Sequence, residues 1–204
     1  YTVLEAPLQA LNMIYPHKEL PSEGAAGSEV EGIATSLYGH SGLSRLMNYD
    51  HKTKSGFKYK DSTLRDFGRI FSLKEIGKYS AKIEYICQKT KGSTGIVFIY
   101  SQYIDGGAVP VALALEEMGI TRYNGHNLFD VHPTPPIDAL TMEPIVPGAK
   151  STQLAHYIMI TGDKNLTPDV RTELKAVTGE DNSYGEKVKV VIVSRAGSEG
   201  LDFK

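Results

Sequence analysis

The fold is decided by residues 188–204, VKVVIVSRAGSEGLDFK. The first part, 188–193, is β-branched and almost entirely apolar, which is typical of a strand buried on both faces of a parallel sheet. The strand runs into a loop in which Gly197 and Gly200 allow close approach or a positive φ. Polar residues that follow such a strand lie at the carboxyl edge of the sheet, where open α/β sheets bind ligands. We therefore predict an α/β fold with a binding loop after residue 193.

Three further segments have the length and composition of strands, and they are residues 96–100 (IVFIY), 120–123 (ITRY) and 157–160 (YIMI). Between the first two, residues 109–118 carry apolar side chains almost all round, which predicts a buried helix. Short connections in this strand–helix–strand order predict a right-handed parallel crossover. We expect one parallel sheet flanked by helices.

Two further helices are predicted from their start signals. Ser72-Leu73-Lys74-Glu75 has the form of a capping box, and the following helix is predicted to run to about Lys89. Thr167 is predicted to cap a helix with Pro168 at its first position.

The first 70 residues lack the strand–helix alternation of the rest of the chain. A short helix is predicted within residues 1–16, with one apolar face formed by Leu4, Leu8, Leu11 and Ile14. Residues 17–31 are poor in apolar side chains, which predicts a mobile loop. The lysines of residues 51–60 are predicted to be solvated.

A second irregular segment, the insert at residues 124–152, contains five prolines and little periodicity. A loop of this length is either functional or disordered. Within it, residues 148–152 (GAKST) superficially resemble a phosphate loop. They lack the Gly before Lys and a preceding strand, so we reject that interpretation.

The composition excludes several classes of protein. The formal net charge of −2 argues against a wholly basic nucleic-acid binder, although residues 51–91 hold eleven Lys or Arg and four Asp or Glu, a local charge of +7. Such a segment could bind phosphates or form a solvated face. A single cysteine, Cys87, excludes an internal disulfide, and the six histidines lack metal-binding spacing. The sequence contains no membrane span and no secretion signal.

The loop after residue 193 also carries a resemblance to a known family. SRAGSEGLDF (194–203) resembles motif V of superfamily 2 helicases, in their second RecA-like domain. Together with GIVFIYSQYIDGGAVPVALALEE (95–117) and YIMITGDKNL (157–166), it resembles helicases of large nucleocytoplasmic DNA viruses, relatives of poxvirus early transcription factor and nucleoside triphosphatase. The resemblance implies a linker or appended helical segment at residues 1–70 and a RecA-like helicase C-terminal domain at 71–204, truncated after motif V.

The resemblance also implies roles for individual residues. Backbone N–H groups and hydroxyls suit phosphate oxygens, and a carboxylate suits a ribose hydroxyl. The residues implied to bind nucleic acid are Ser101, Gln102, Gly162, Asp163, Ser194, Arg195 and Gly197. Those implied to bind the nucleotide are Glu199, Gly200 and Asp202. Many relatives carry Arg where this chain has Glu199, so the role of Glu199 is open.

The function implied is that of part of an ATP-dependent helicase or translocase serving viral transcription. Its cofactors would be ATP and Mg in the full-length protein. Its partners would be the backbone of DNA or RNA, the first RecA-like domain of the same chain and viral transcription machinery, with no membrane. Its location would be intracellular, in the virion or the host cytoplasm of an infected cell.

The chain starts without Met and ends just after the motif, so we expect a fragment of a longer protein. It has neither a G-x-x-x-x-G-K-[ST] sequence nor a motif VI, so the fragment alone should bind nucleic acid weakly and should not hydrolyse ATP.

Two other classes of protein fit the same residues. One is a self-sufficient doubly wound domain that binds a small nucleotide or sugar at the carboxyl edge of its sheet. The other is a protein-interaction module that uses the proline-rich insert. A phosphate loop upstream and a Gln-x-x-Gly-Arg motif downstream in the parent gene would favour the helicase.

Overall fold

A computed structural model describes residues 4–19, 33–123, 125–145, 148, 153–167 and 169–198. In chain order its named elements are α1 (Glu5–Ala10), α2 (Gly39–Leu46), β1 (Met47–Asp50), β2 (Ser55–Tyr59), α3 (Asp61–Phe67), α4 (Ala81–Lys91), β3 (Val97–Ser101), α5 (Val109–Glu117), β4 (Thr121–Arg122), β5 (His156–Ile160), α6 (Val170–Val177), β6 (Val190–Ser194) and α7 (Arg195–Ser198). A π-helical turn spans Ile104–Ala108.

The described residues form one four-stranded parallel sheet with the order β3-β6-β5-β4. The predicted α/β fold with a parallel sheet flanked by helices is therefore confirmed. β6 lies between β3 and β5, so both of its edges are hydrogen-bonded. The strands β1 and β2 form a separate antiparallel hairpin.

Both faces of β6 are covered, as the run of β-branched residues predicts. Val190 and Ile192 belong to the cluster that includes the buried residues of α4 and α5. Val191 and Val193 face the other way and pack in a second cluster with residues of α6. A strand enclosed in this way needs apolar side chains at successive positions rather than at alternate ones. The helix α5 is buried along its whole length.

The helix predicted from Ser72 begins later than expected. Residues 72–79 form turns and a 3-10 segment, and α4 begins at Ala81. The N-cap is Ser80, whose hydroxyl accepts a hydrogen bond from the backbone N–H of Ile83 at 2.9 Å and donates one to the carbonyl oxygen of Asn12 at 2.6 Å. The prediction of Ser72 as the cap is therefore wrong, because tertiary contact with Asn12 selects Ser80.

The cap predicted for α6 is wrong as well. The side chain of Asp169 accepts a hydrogen bond from the N–H of Thr172 and caps this helix. Thr167 is buried instead. Its hydroxyl donates to the carbonyl oxygen of Met159 at 2.7 Å and accepts from the N–H of Thr161 at 2.8 Å, which closes the loop after β5.

The helix near the N-terminus is confirmed, but the prediction of its buried face is wrong. Leu4 and Leu11 are 70% and 69% exposed, and Leu8 and Ile14 are also exposed. The polar side chain of Asn12 contacts the rest of the chain instead, donating to the carbonyl oxygen of Gly106 at 3.0 Å.

The first 70 residues share a hydrophobic core with the sheet. Met13, Tyr15, Leu43 and Phe57 belong to the cluster that contains Ile99 of β3. The division of the chain at residue 70 stays a prediction.

The described part of the insert is attached to the C-terminal end of α5. The carboxylate of Glu116 accepts hydrogen bonds from the backbone N–H groups of Leu128 and Phe129, at 2.7 and 2.9 Å, and from the hydroxyl of Tyr157 at 2.6 Å. Thr134 donates to the carbonyl oxygen of Glu117 at 3.0 Å. A buried carboxylate thus gives this irregular segment a fixed path.

The neighbouring carboxylate, Glu117, connects the N-terminal segment to the insert. Its side chain is fully buried and accepts hydrogen bonds from Arg69 at 2.5 Å and from the Tyr59 hydroxyl at 2.8 Å. Arg69 also donates to the carbonyl oxygen of Pro133 at 2.9 Å. The Glu117–Arg69 ion pair and the hydrogen bonds around it therefore connect β2, the segment before α4 and the insert.

The first prediction concerns this ion pair. Replacing Glu117 by Ala should lower the free energy of unfolding by about 3 kcal/mol, because Arg69 and Tyr59 lose their buried acceptor. Because the guanidinium of Arg69 is partly exposed, the expected loss of unfolding free energy lies at the lower end of the range for buried ion pairs. Urea unfolding followed by circular dichroism measures the change. Asp181→Ala, which breaks an exposed pair with Lys187, is the control and should change little. Equal losses in the two variants would contradict the prediction.

Two buried carboxyl groups make the stability depend on pH. Burial raises the pKa of Glu116 from its ordinary value of 4.5 to about 7, although its hydrogen bonds and Arg122 favour the ionised form. Burial, with a smaller effect of Asp169, raises the pKa of Glu173 to about 7 as well, while Arg122 opposes this rise. For Glu116 the rise corresponds to roughly 3 kcal/mol. Because these pKa values are higher in the folded state, this stabilisation is present below about pH 4.5 and is lost as the pH rises to about 7.

The second prediction tests this dependence at Glu173. Its Oε2 atom has no hydrogen-bond partner among the described residues, so Gln should be tolerated there. Between pH 5 and 7 the free energy of unfolding of Glu173→Gln should fall less than that of the original chain. Burial lowers the pKa of His156, which acts in the opposite direction in both proteins and cancels in the comparison. Exposed Glu180→Gln should keep the original slope, and identical slopes for all three proteins would contradict the assignment.

Candidate nucleic-acid interface

The carboxyl ends of three strands lie side by side in the sheet. Ser101 at the end of β3 is in register with Ser194 at the end of β6. Ile160 at the end of β5 is in register with Val193. Because the strands are parallel, the segments that follow them leave from one edge of the sheet. The expected convergence of these segments is therefore present in the structure.

The segments after β5 and β6 are in direct contact. A Cβ atom added to Gly197 would lie 2.0 Å from the carbonyl oxygen of Ile160, and one added to Gly162 would lie 2.8 Å from Cβ of Ala196. Larger residues cannot occupy these positions without moving the backbone. The glycines therefore serve close approach, and the two loops present a continuous backbone surface.

Ser194 makes an internal contact in this arrangement. It is 2% exposed, and its hydroxyl accepts a hydrogen bond from the N–H of Gly197 at 3.2 Å. The resemblance implies that Ser194 binds nucleic acid, but its side chain is buried here. The reason is that β6 remains enclosed up to its last residue, and α7 turns back over it. Ser194 thus stabilises the turn at which the chain leaves the sheet.

The other predicted residues of this edge differ in accessibility. Arg195 and Gln102 are exposed, so their side chains are available to a ligand. The Ser101 hydroxyl donates to the carbonyl oxygen of Tyr103 at 2.7 Å. The carboxylate of Asp163 accepts from the N–H and the side-chain amide of Asn165, at 2.9 and 3.1 Å, which shapes the loop after β5.

The turn after β3 contains two buried glycines, Gly106 and Gly107, within a π-helical segment. A Cβ atom on Gly107 would lie 2.0 Å from the Ser101 hydroxyl. Such single π turns are often found at functional sites. This segment lies at the same edge of the sheet as Ser101.

The residues assigned to the nucleotide, Glu199, Gly200 and Asp202, lie outside the described residues. Their assignment to the nucleotide, and with it the use of ATP and Mg, stays a prediction. The rejected phosphate-loop sequence at residues 148–152 lies mostly outside the described residues too. In the described part of the chain, no group of three or more His, Cys, Asp or Glu side chains is placed to bind a metal ion. None of the described helices has the length and hydrophobicity of a membrane span.

Sequence reasoning missed one element at this edge, the hairpin tip formed by residues 51–54. The ammonium group of Lys54 pairs with Asp105, in the turn after β3, at 2.5 Å. The carbonyl oxygen of Lys52 accepts from the side-chain amide of Asn165 at 3.2 Å. The tip therefore bridges the segments after β3 and β5. The sequence signal for this hairpin tip is the basic composition of residues 51–60, which by itself predicts only a solvated loop.

Known proteins give independent information on this site. No family model matches the chain. The chain is 31% identical over 137 residues to the termination factor NPH-I homolog of African swine fever virus, a match that covers 61% of this chain and 19% of that protein. It is 26% identical over 133 residues to a protein of Acanthamoeba polyphaga mimivirus that carries the provisional name ATP-dependent RNA helicase; this match covers 65% of the chain and 19% of that protein.

The chain thus spans about a fifth of the length of the curated relatives that it matches. The predicted resemblance to helicases of large DNA viruses is confirmed to this extent. The chain is related to proteins of such viruses that are named as a termination factor and a helicase.

Proposed function

We propose that the chain supplies nucleic-acid contacts and half of the ATP cleft to a superfamily 2 helicase or translocase that serves viral transcription. The observation that carries this proposal is the contact between the segments after β5 and β6, through Gly162 and Gly197, beside the carboxyl end of β3. The relationship to a viral termination factor and a helicase supports the same function. In this proposal residues 71–204 are a second RecA-like domain up to motif V.

The nucleic-acid strand would follow the edge of the sheet. The exposed backbone at Gly162 and Ala196 would contact phosphate oxygens, a mode of contact that positions a nucleic-acid strand without reading its bases. Arg195 adds an exposed guanidinium beside this surface. Ser194 and Asp163 hold the loops in place from inside. Arg195 would therefore touch the nucleic-acid strand, whereas Ser194 and Asp163 would position the loops.

The nucleotide would be bound on the other side of the loop after β6, by Gly200 and Asp202, with Glu199 nearby. ATP hydrolysis, with Mg²⁺ neutralising phosphate charge, supplies the free energy for movement along nucleic acid. The phosphate loop would come from the first RecA-like domain of a longer chain. The isolated chain is accordingly expected to turn over no ATP. The protein would act in the virion or in the cytoplasm of an infected cell.

The third prediction tests the nucleic-acid contact at Arg195. Arg195→Ala should weaken binding of a single-stranded oligonucleotide by roughly tenfold at low salt, because a phosphate contact is lost. The dependence of log K on log salt should become less steep by about 0.7. Fluorescence polarisation of a labelled oligonucleotide measures both quantities. Arg171→Ala, at an exposed position on α6, changes the net charge equally and serves as the control. If both variants lost the same affinity, the effect would be one of overall charge.

The fourth prediction concerns Asp202 in a protein that contains both RecA-like domains. If its carboxylate accepts a hydrogen bond from the ribose, Asp202→Ala should remove a contact worth about 1.5–3 kcal/mol. That loss corresponds to roughly a tenfold to 150-fold weaker affinity for the nucleotide. Binding of a fluorescent ATP analogue measures it, with thermal melts as the folding control. Asp202→Asn keeps an acceptor oxygen and should lose less. Unchanged affinity in the Ala variant would leave Asp202 without a role in nucleotide binding.

A further inference from the structure

A polar pocket of about 720 Å³ lies between three elements at the carboxyl edge of the sheet. Thr53 and Lys54 of the hairpin tip form one wall, and Asn127 and His132 of the insert form another. Asn165, in the loop after β5, completes the lining. None of the motifs in the sequence points to this cavity, because its walls are far apart in the chain.

The pocket continues the surface proposed to carry nucleic acid. The side-chain amide of Asn165 donates to the carboxylate of Asp163 at 3.1 Å and to the carbonyl oxygen of Lys52 at 3.2 Å. One residue thus links the loop after β5 to the hairpin tip. A strand that leaves the loops near Gly162 on this side reaches the pocket next.

Two groups in the insert wall retain capacity for hydrogen bonds. Asn127 uses its carbonyl oxygen to accept from the N–H of Arg122 at 2.9 Å, so no hydrogen bond in the described part of the chain uses its NH₂ group. His132 Nδ1 contacts the carbonyl oxygen of Thr134, which places the proton on Nδ1 and leaves Nε2 as an acceptor in the neutral ring. This Nε2 atom is buried and has no partner among the described residues. The wall therefore offers the NH₂ group of Asn127 as a donor, whereas the buried Nε2 atom of His132 is closed to a ligand in this arrangement.

The charged side chains around the pocket have both signs, and Lys54 and Lys58 are paired with Asp105 and Asp130. Lys54 has a backbone φ of 50°, in the left-handed region that non-glycine residues rarely adopt, and its side chain is 16% exposed beside Asp105. Its ammonium group is paired with the carboxylate of Asp105 at 2.5 Å. The carboxylate of Asp130, which also lines the pocket, is paired with Lys58 at 2.7 Å. His126 adds a further exposed ring.

We propose that this pocket binds one nucleotide unit of a single-stranded nucleic acid, an inference that rests on the proposed function and extends its path along the sheet edge. The NH₂ group of Asn127 suits a phosphate oxygen or a base carbonyl. The volume lies within the range of pockets that enclose small ligands. A concave site of this kind admits an unpaired nucleotide and excludes a base-paired one.

The test is an isosteric substitution in the insert wall. Asn127→Asp keeps the oxygen that accepts from Arg122 and replaces the NH₂ donor with a second carboxylate oxygen. Binding of a labelled single-stranded oligonucleotide to the full chain should weaken about tenfold, with an unchanged melting temperature. Gln88→Glu, the same amide-to-carboxylate change at an exposed position on α4, is the matched control and should bind like the original chain. A merely structural role of Asn127 predicts no loss of binding.

Cross-linking locates the contact independently. An oligonucleotide that carries 4-thiouridine should form adducts with residues 53–56 or 125–132 of the original chain, and fewer with Asn127→Asp. Adenosine monophosphate is the competing small ligand. If it bound in an Asn127-dependent way as tightly as the strand, the site would be one for free nucleotides and the proposal would be overturned.

The outcomes separate this proposal from the proposed function. Full binding by Asn127→Asp, together with a loss in Arg195→Ala, would overturn the pocket and leave the sheet-edge interface intact. Failure of the original chain to bind any single strand would remove both. Losses in Asn127→Asp and Arg195→Ala but not in Gln88→Glu, with adducts in the pocket, are the expected result.

Discussion

The structure depends on the burial of β6 on both faces and along both edges. Its two neighbours, β3 and β5, satisfy its backbone groups, while α4 and α5 on one side and α6 on the other cover its side chains. A strand in this position has no contact with water until it ends, because a parallel sheet needs a helix layer on each face. Polar residues can therefore follow the strand only at its carboxyl end. This constraint gathers the candidate interface at one edge.

At that edge, close packing of backbones decides which groups remain for a ligand. Gly197 lies against the end of β5, and the space for a side chain at that position is filled by the carbonyl oxygen of Ile160. The hydroxyl of Ser194 and the carboxylate of Asp163 are used within the chain. The groups that stay accessible include exposed backbone and the side chains of Arg195 and Gln102, a combination that suits a repetitive phosphate backbone.

Two adjacent buried carboxylates attach the irregular parts of the chain to the sheet domain. Glu116 holds the beginning of the insert, and Glu117 pairs with Arg69 and so holds the segment before α4. Burying a carboxylate is unfavourable unless donors surround it, so each of them fixes the path of the backbone that supplies those donors. The hairpin and the insert are joined directly, because the backbone N–H of Phe57 donates to the carbonyl oxygen of Leu128 and that of Asp130 donates to the carbonyl oxygen of Phe57. The pocket between them exists because these contacts hold its walls in place.

The sequence by itself determined the class of the fold and the edge at which function is expected. The apolar runs predicted the strands and a parallel sheet, and in β5 and β6 they reflect burial at successive positions, whereas Phe98 and Tyr100 of the edge strand β3 are exposed. Helix caps were less predictable, since Ser72 carries a capping-box sequence that Ser80 lacks, and yet Ser80, which also contacts Asn12, is the cap. The exposed face of α1 and the pocket at the hairpin tip were decided by tertiary structure alone. Residues far apart in the chain meet there. Burial and ion pairing between such residues produce no periodic pattern in the sequence.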